Sequence, residues 1–492
     1  MFEQWIHGKI CQATGKSSVT RSDIESYQLQ RLNDTICYAR ENSPFYRDLL
    51  TDVAEISSLA EISRIPFTNP LDLEQSPYKL LCVSTGGIAR VFSHFTTGTM
   101  SGRPKKIFFT YNDADAIVDS MAAIMETVID GVGLKTSGCK VHIFLPNNGP
   151  PMSMAGLISR GVEQLNGIPI VGDCTAMTLE QIEQIEKTKP DMLMGSAFRI
   201  WRITQESRES HDLASIGVKA IFVTSEYLSS AMRGRLEEYW QAEVFHHYGM
   251  TEPGFVIGVE CAAHNGFHFN ETQLLFEVVD PETGQVLGDG QEGELVFTTL
   301  QRDGMPLIRY RTGDVACLRR EPCGCGATTL MRIGTLPKRV GLVVKIGDSE
   351  QIYTSLFDEV LYQIPELIDY RVFISNDGGK DNLTCKVEML GGSPGTEERA
   401  LQRQFKEDTI INACHSREGG NPEMRVESWI PDQVRNDISH LVDELIGRIL
   451  TIQPIKKSVE SGLLAQPKIE LVERGVLRRG GRRMKRRIVD ER

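Results

Sequence analysis

No run of about eighteen apolar residues interrupts this chain of 492 residues, so no helix is expected to span a bilayer. The start, Met1-Phe-Glu-Gln-Trp-Ile-His-Gly-Lys-Ile10, does not put a basic stretch ahead of a long apolar one, as an export signal would. Positive charge is not in surplus either. The 54 lysines and arginines stand against 66 acidic residues, a net of −12, which argues against wholesale binding to nucleic acid or to an anionic membrane. Even the basic end, 474–492, is interrupted by Asp490 and Glu491 and has no RNA-binding motif beside it. Paired cysteines are missing too: eleven, an odd number scattered thinly, imply reduced thiols and a cytoplasmic protein rather than a disulfide framework. What remains is ordinary globular composition, 40% hydrophobic and 24% charged, over a length that calls for two or more domains.

One stretch concentrates what the rest of the chain spreads out. In Phe95-Thr-Thr-Gly-Thr-Met-Ser-Gly-Arg-Pro-Lys105, Gly98 and Gly102 let backbone N–H groups turn toward an anion. Thr96, Thr97, Thr99 and Ser101 supply hydroxyls, and Arg103 and Lys105 supply charge. The flanks Arg90–Phe95 and Lys106–Thr110 read as strands, so this is either a phosphate-holding loop or a plain Gly/Ser/Thr hairpin turn, and not a Walker loop, which would run into a helix with Gly-Lys-Ser/Thr.

Past it, with Asp113 as the expected helix cap, apolar spacing alternates between strand and helix as far as 247. Strands are expected at 141–145, 168–171, 191–194, 218–223 and 243–247, and helices at 154–165, 179–187, 198–205 and 229–240. Such β-α-β units build a parallel sheet with helices on both faces, and ligands bind beyond the carboxyl ends of its strands. That rule points to Ser225-Glu226-Tyr227 and to Tyr248-Gly-Met-Thr-Glu252. From 258 to 318 the texture turns β-rich, and after Gly334-Thr-Leu-Pro-Lys-Arg-Val-Gly341 a smaller α+β unit follows. The fold class is therefore α/β: a large N-terminal domain, 1–338, with parallel β/α sheets plus a β-rich subdomain, then a small mobile α+β domain, 339–492. The oligomeric state is left open, a homodimer among the options.

Three motifs in one order, the Thr-rich loop, Tyr248-Gly-Met-Thr-Glu252 and Tyr310-Arg-Thr-Gly-Asp314, resemble the acyl-adenylate-forming enzymes. Ala39-Arg-Glu-Asn-Ser-Pro-Phe-Tyr46, Glu260-Cys261 with Gly266-Phe-His268, and Pro322-Cys-Gly-Cys-Gly326 resemble the phenylacetate-CoA ligase branch of that superfamily. The resemblance implies that ATP and a carboxylic acid form an acyl-adenylate, whose acyl group passes to coenzyme A. It implies that the loop 96–105 clamps phosphates, that Glu252 holds magnesium beside Thr251, and that Tyr248, with Gly249, stacks on adenine. Asp314 would accept the ribose hydroxyls. Arg311 is left between a phosphate and a surface acid, and Glu226 between the nucleotide pocket and a helix-start carboxylate. His246 and His247, on opposite faces of a strand, are expected to be packing residues behind the site. The resemblance also implies a structural zinc on Cys261, His268, Cys323 and Cys325, as in some relatives of this branch, the other reading being free buried thiols and a solvent-facing histidine.

The pattern also breaks. The acidic residue expected at the hinge is missing after Gly334-Thr335, and 414–438 match no part of the family and read as an insertion. The usual Gly-Lys near the end is replaced by Gly481-Arg-Arg-Met-Lys485, which nominates Lys485 as the adenylation lysine. A synthetase with another acceptor, or a nucleotide-binding scaffold without turnover, therefore stay open beside the CoA ligase.

Overall fold

The computed structural model describes residues 2–94, 105–145, 152–173, 176, 178–334, 338–347, 350–390, 432–472, 477 and 488–492. It divides into two compact units, Met1–Val343 and Val344–Arg492. Among the described residues no helix is long and apolar enough to cross a membrane.

The first unit opens with three helices, Phe2–Thr14, Arg21–Asn42 and Pro44–Leu49. The first was not anticipated from the sequence. It buries Phe2, Ile6 and Ile10 along one face, and Glu3 accepts from the backbone N–H groups of Thr328 and Thr329, over three hundred residues away. Strands β1 (Arg90–His94) and β2 (Lys105–Phe109) then form an antiparallel hairpin, His94 facing Lys105 across its open end. The loop carrying Thr96, Thr97, Gly98, Thr99, Ser101, Gly102 and Arg103 lies outside the described residues, as does Lys485.

Helix Tyr111–Gly131 follows. Its cap is Thr110 and not Asp113: the Thr110 hydroxyl accepts from Asp113 N–H, while the Asp113 carboxylate accepts from Thr110 N–H, a capping box. Asp113 does more than close that box. Its two oxygens also accept from the N–H groups of Asp303 and Gly304, at 2.8 and 3.0 Å, which pins a distant loop onto the helix start.

The β-α-β alternation then builds the main sheet, as its apolar runs foretell. Strands β3 (Lys140–Phe144), β4 (Ile168–Val171), β5 (Met192–Ser196), β6 (Ala220–Thr224) and β7 (Glu243–Tyr248) pair in parallel in the order β4-β3-β5-β6-β7. Short antiparallel strands extend it: β8 (Gly258–Val259) and β9 (Phe267–Phe269). Strands β10 (Leu274–Val279), β11 (Gly293–Thr299) and β12 (Tyr310–Ala316) form a second, antiparallel sheet. Strands β13 (Leu318–Arg319) and β14 (Arg332–Ile333) close the edge of the main sheet beside β9, and β15 (Lys338–Arg339) pairs with β12.

The second unit is α+β. A hairpin of β16 (Val344–Ile346) and β17 (Glu350–Ile352) precedes helix Thr354–Leu361. Strands β18 (Leu367–Asp377) and β19 (Lys380–Met389) turn through Gly378 and Gly379, both at positive φ. β20 (Lys468–Val472) runs parallel to β19, and β21 (Ile488–Asp490) runs parallel to β18. Helix Asp432–Ile449 takes in the last seven residues of the stretch read as an insertion.

Candidate active site

The carboxyl end of β7 runs into a turn that admits no side chain at position 249. A Cβ on Gly249 would lie 2.0 Å from the Phe255 carbonyl oxygen and 2.6 Å from Cε1 of His247. The turn closes where Phe255 N–H donates to Met250 at 2.8 Å and Gly254 N–H donates to Thr251 at 3.1 Å. Backbone crowding therefore dictates the glycine, and the tight turn delivers Thr251 and Glu252 to the strand end.

Glu252 is 2% exposed, and a carboxylate so deep needs partners. Its Oε1 accepts from Lys105 Nζ and from the Tyr310 hydroxyl, both at 3.1 Å, and Lys105 also donates to the Tyr310 oxygen at 3.1 Å. Burial, and then the Glu252 charge, push the Tyr310 phenol well above its ordinary value, so it keeps its proton and donates. Lys105 is the first residue of β2, so the start of that strand is tied directly to Glu252. The sequence reading did not assign Tyr310, although it opens one of the quoted motifs.

Asp314 is aimed by a bulge. The register of β11 on β12 slips between Glu294 and Val296, and Gly313 takes φ +75° within it. Glu294 secures the bulge by accepting from Gly313 N–H at 3.0 Å and from Arg311 Nε at 2.8 Å. Arg311, left open by the sequence, is paired with this glutamate. Asp314, 7% exposed, accepts from the Tyr248 hydroxyl at 2.7 Å on Oδ2 and forms an ion pair through Oδ1 with Arg339. Burial, with the Asp314 charge next, raises the Tyr248 phenol well above its ordinary value. The Asp314 carboxylate in turn raises the Arg339 guanidinium. Arg339 was also missed: read as part of a departure from the hinge pattern, it is placed opposite Asp314 by the β12–β15 pairing.

Beside β7, strand β6 ends at Thr224, and Ser225 takes φ +77°, a left-handed conformation strained for a non-glycine residue. Glu226 follows. Its carbonyl accepts from His246 Nε2 at 2.9 Å, which ties the ends of β6 and β7 together. Burial holds His246 below its usual value and takes His247 down to about 3, so both rings are neutral.

Away from these groups, Cys261, His268, Cys323 and Cys325 converge, their ligand atoms all within 4.8 Å of one another. Cys261 follows β8, His268 lies in β9, and the other two come from the turn between β13 and β14. Cys261 Sγ is 3.6 Å from Cys323 Sγ, and Cys325 Sγ is 3.5 Å from His268 Nε2. A tetrahedral zinc with Zn–S bonds of about 2.3 Å has sulfur–sulfur edges of roughly 3.8 Å, so the donor set fits that ion. Burial, and then the Arg332 charge, take His268 down to about 4, which leaves its ring a neutral donor. Burial pushes the Cys261 thiol up to about 12. At Cys323 burial is outweighed by hydrogen bonds from Cys325 N–H and the neighbouring thiols, and its net shift is downward.

A hairpin that flanks the Thr-rich stretch, a carboxylate at the end of a parallel strand and a second carboxylate on a neighbouring sheet are the arrangement expected of an adenylate-forming type of protein. The AMP-binding enzyme family model matches residues 164–301, which include β7 and the Glu252 turn. A phenylacetate-coenzyme A ligase of Aromatoleum evansii is 30% identical over 406 residues, 79% of this chain and 88% of its own length. One of Thermus thermophilus is 29% identical over 410 residues, 81% of this chain and 88% of that protein. The chain belongs to the family of these phenylacetate-coenzyme A ligases. Its fold is that of a solved 2-hydroxyisobutyryl-CoA ligase, with a TM-score of 0.72 at 21% identity over 95% of this chain and 90% of the other.

Proposed function

We propose that this chain is an AMP-forming acid–thiol ligase. A carboxylate oxygen of the acid attacks the α-phosphorus of ATP, pyrophosphate leaves, and the thiol of coenzyme A then attacks the acyl carbon and expels AMP. The observation that carries the reading is the pair of buried carboxylates, Glu252 and Asp314, brought together with the end of the loop hairpin through Lys105. In this reading Asp314, already fixed by Tyr248 and Arg339, receives the ribose hydroxyls, and Tyr248 flanks the adenine. Thr251 donates to a phosphate oxygen, and the loop 96–105 holds the β and γ phosphates with charge-assisted hydrogen bonds. Lys485 is assigned the developing charge between acid and α-phosphate.

Both described hydrogen bonds to Glu252 fall on Oε1, which leaves Oε2 for a cation. Magnesium held there would neutralise phosphate charge. Zinc held by Cys261, His268, Cys323 and Cys325 would be structural, since four protein ligands leave no open position. The reduced thiols fit a cytoplasmic enzyme. Pyrophosphate exchange over a panel of aryl and aliphatic acids tests the proposal. Exchange with at least one acid is expected, followed by thioester formation when coenzyme A is added. Silence with every acid would favour the scaffold alternative, and exchange without thioester would favour another acceptor.

A further inference from the structure

Neighbouring residues at the end of β7 point to opposite faces of the sheet. Tyr248 takes the face of Asp314, the side assigned to the nucleoside. His247 takes the other face, folded beneath the turn with its Cε1 against Gly249. The ring is 3% exposed. Its Nδ1 lies 3.0 Å from Oγ1 of Thr224, the last residue of β6, and the Phe222 ring stands edge-on with 5.6 Å between centroids. Nε2 is buried and has no hydrogen-bond partner among the described residues. Native proteins leave few buried polar atoms in that state, and one beside a ligand site points to a partner supplied by the ligand.

His142 makes a useful contrast. Both of its ring nitrogens are also unmatched, but it sits mid-strand in β3, stacked on Phe144 at 4.3 Å, and carries no such implication. His247 stands where β6 and β7 end, a few residues ahead of Thr251 and Glu252. An acyl-adenylate diverges from its phosphorus in two directions. With the nucleoside on the Tyr248 face, the acid extends along the face of His247.

Resting on the adenylation reading, we infer that the acid activated by this chain carries a hydroxyl group that hydrogen-bonds to His247 Nε2, which makes His247 a specificity-determining residue. A hydroxyl suits this site better than a carbonyl or an ammonium. Thr224 can donate to Nδ1 or accept from it, so Nε2 can be the donor or the acceptor, and a hydroxyl satisfies either tautomer. A charged group would lose its hydration against Phe222 without a counter-charge.

The test measures pyrophosphate exchange on matched acids: phenylacetate against its 3- and 4-hydroxy derivatives, benzoate against the hydroxybenzoates, and butyrate against 3-hydroxybutyrate. In at least one pair the hydroxylated acid is expected to exceed its parent in kcat/KM by about tenfold or more, because a site built for a hydroxyl penalises its absence. His247→Leu should abolish that preference, bringing the hydroxylated acid and its parent to about equal kcat/KM. His247→Gln, which restores a polar amide, should recover part of it. Equal or lower exchange for every hydroxylated acid would overturn the inference and leave the adenylation reading standing. An unchanged ratio in His247→Leu would do the same. No exchange with any acid would remove both.

Discussion

Two buried ion pairs, Arg309–Glu277 and Lys105–Glu252, differ in saturation and in the cation that each uses. Arg309 and Glu277 are bidentate, with Nε to Oε1 at 2.7 Å and the second nitrogen to Oε2 at 2.8 Å. The remaining guanidinium nitrogen donates to the Ile65 carbonyl at 2.6 Å, and the Phe67 ring covers the guanidinium at 4.0 Å. Both glutamate oxygens and all three guanidinium nitrogens are taken. Lys105 and Glu252 are as deeply placed, but their described contacts use a single carboxylate oxygen, and the cation is a lysine, a point charge on a flexible stem. A saturated pair has nothing left to offer a ligand and serves the fold. An unsaturated one keeps a coordination site.

The sharpest way to break this comparison is to remove one partner of the saturated pair. Arg309→Met should cost about 3–5 kcal/mol of stability by leaving Glu277 buried without its counter-charge, and urea denaturation would measure it. Glu252→Gln should do the opposite. Adenylation is expected to fall by about a hundredfold or more, as when one preorganised transition-state group is lost. The denaturation midpoint should move far less than in Arg309→Met, because the amide oxygen still accepts from Lys105 and Tyr310. If Glu252→Gln proves the more destabilising, the distinction between saturated and open pairs fails.

The cysteine cluster extends the comparison to a metal. About one zinc per chain is expected in purified protein, and Cys323→Ser should lower both zinc content and thermal midpoint while adenylation is largely kept. Metal-free wild type of equal stability would refute it. The smallest effect concerns His142, which burial takes down to about 4. Unfolded chains protonate a histidine near 6.5, so below that pH the unfolded state takes up a proton that the folded state refuses. Stability from this residue is complete above about pH 6.5 and is lost toward pH 4, at roughly 1.4 kcal/mol per unit. His142→Leu should flatten that part of a stability profile measured from pH 7.5 to 4.5.

Much of the frame was legible in the sequence because parallel strands buried on both faces read as apolar runs, such as Ala220–Thr224, between helical spacings. The Glu252 turn and Asp314 were legible because their chemistry is written in contiguous residues. Partners set by strand pairing were not. Arg339 reaches Asp314 only through the register of β12 on β15, and Tyr310 reaches Lys105 across 205 residues. The first helix went unseen for the same reason, since Glu3 is tied to Thr328 and Thr329. The Thr110 cap had a local signal: Thr and Asp three residues apart make a reciprocal box in which the first residue, not the acid, is the cap.

The three acceptor contacts of Asp113 bear on the order in which the chain assembles. The bond that closes the capping box spans three residues and can form on the timescale of helix nucleation, well under a microsecond to a few microseconds. The bonds to Asp303 and Gly304 span 190 and 191 residues and must wait for the intervening β-α-β units to be in place. One carboxylate thus belongs to both an early and a late folding event. Replacing it with alanine should slow the first and loosen the last, so the damage should appear in refolding kinetics as well as in the equilibrium midpoint.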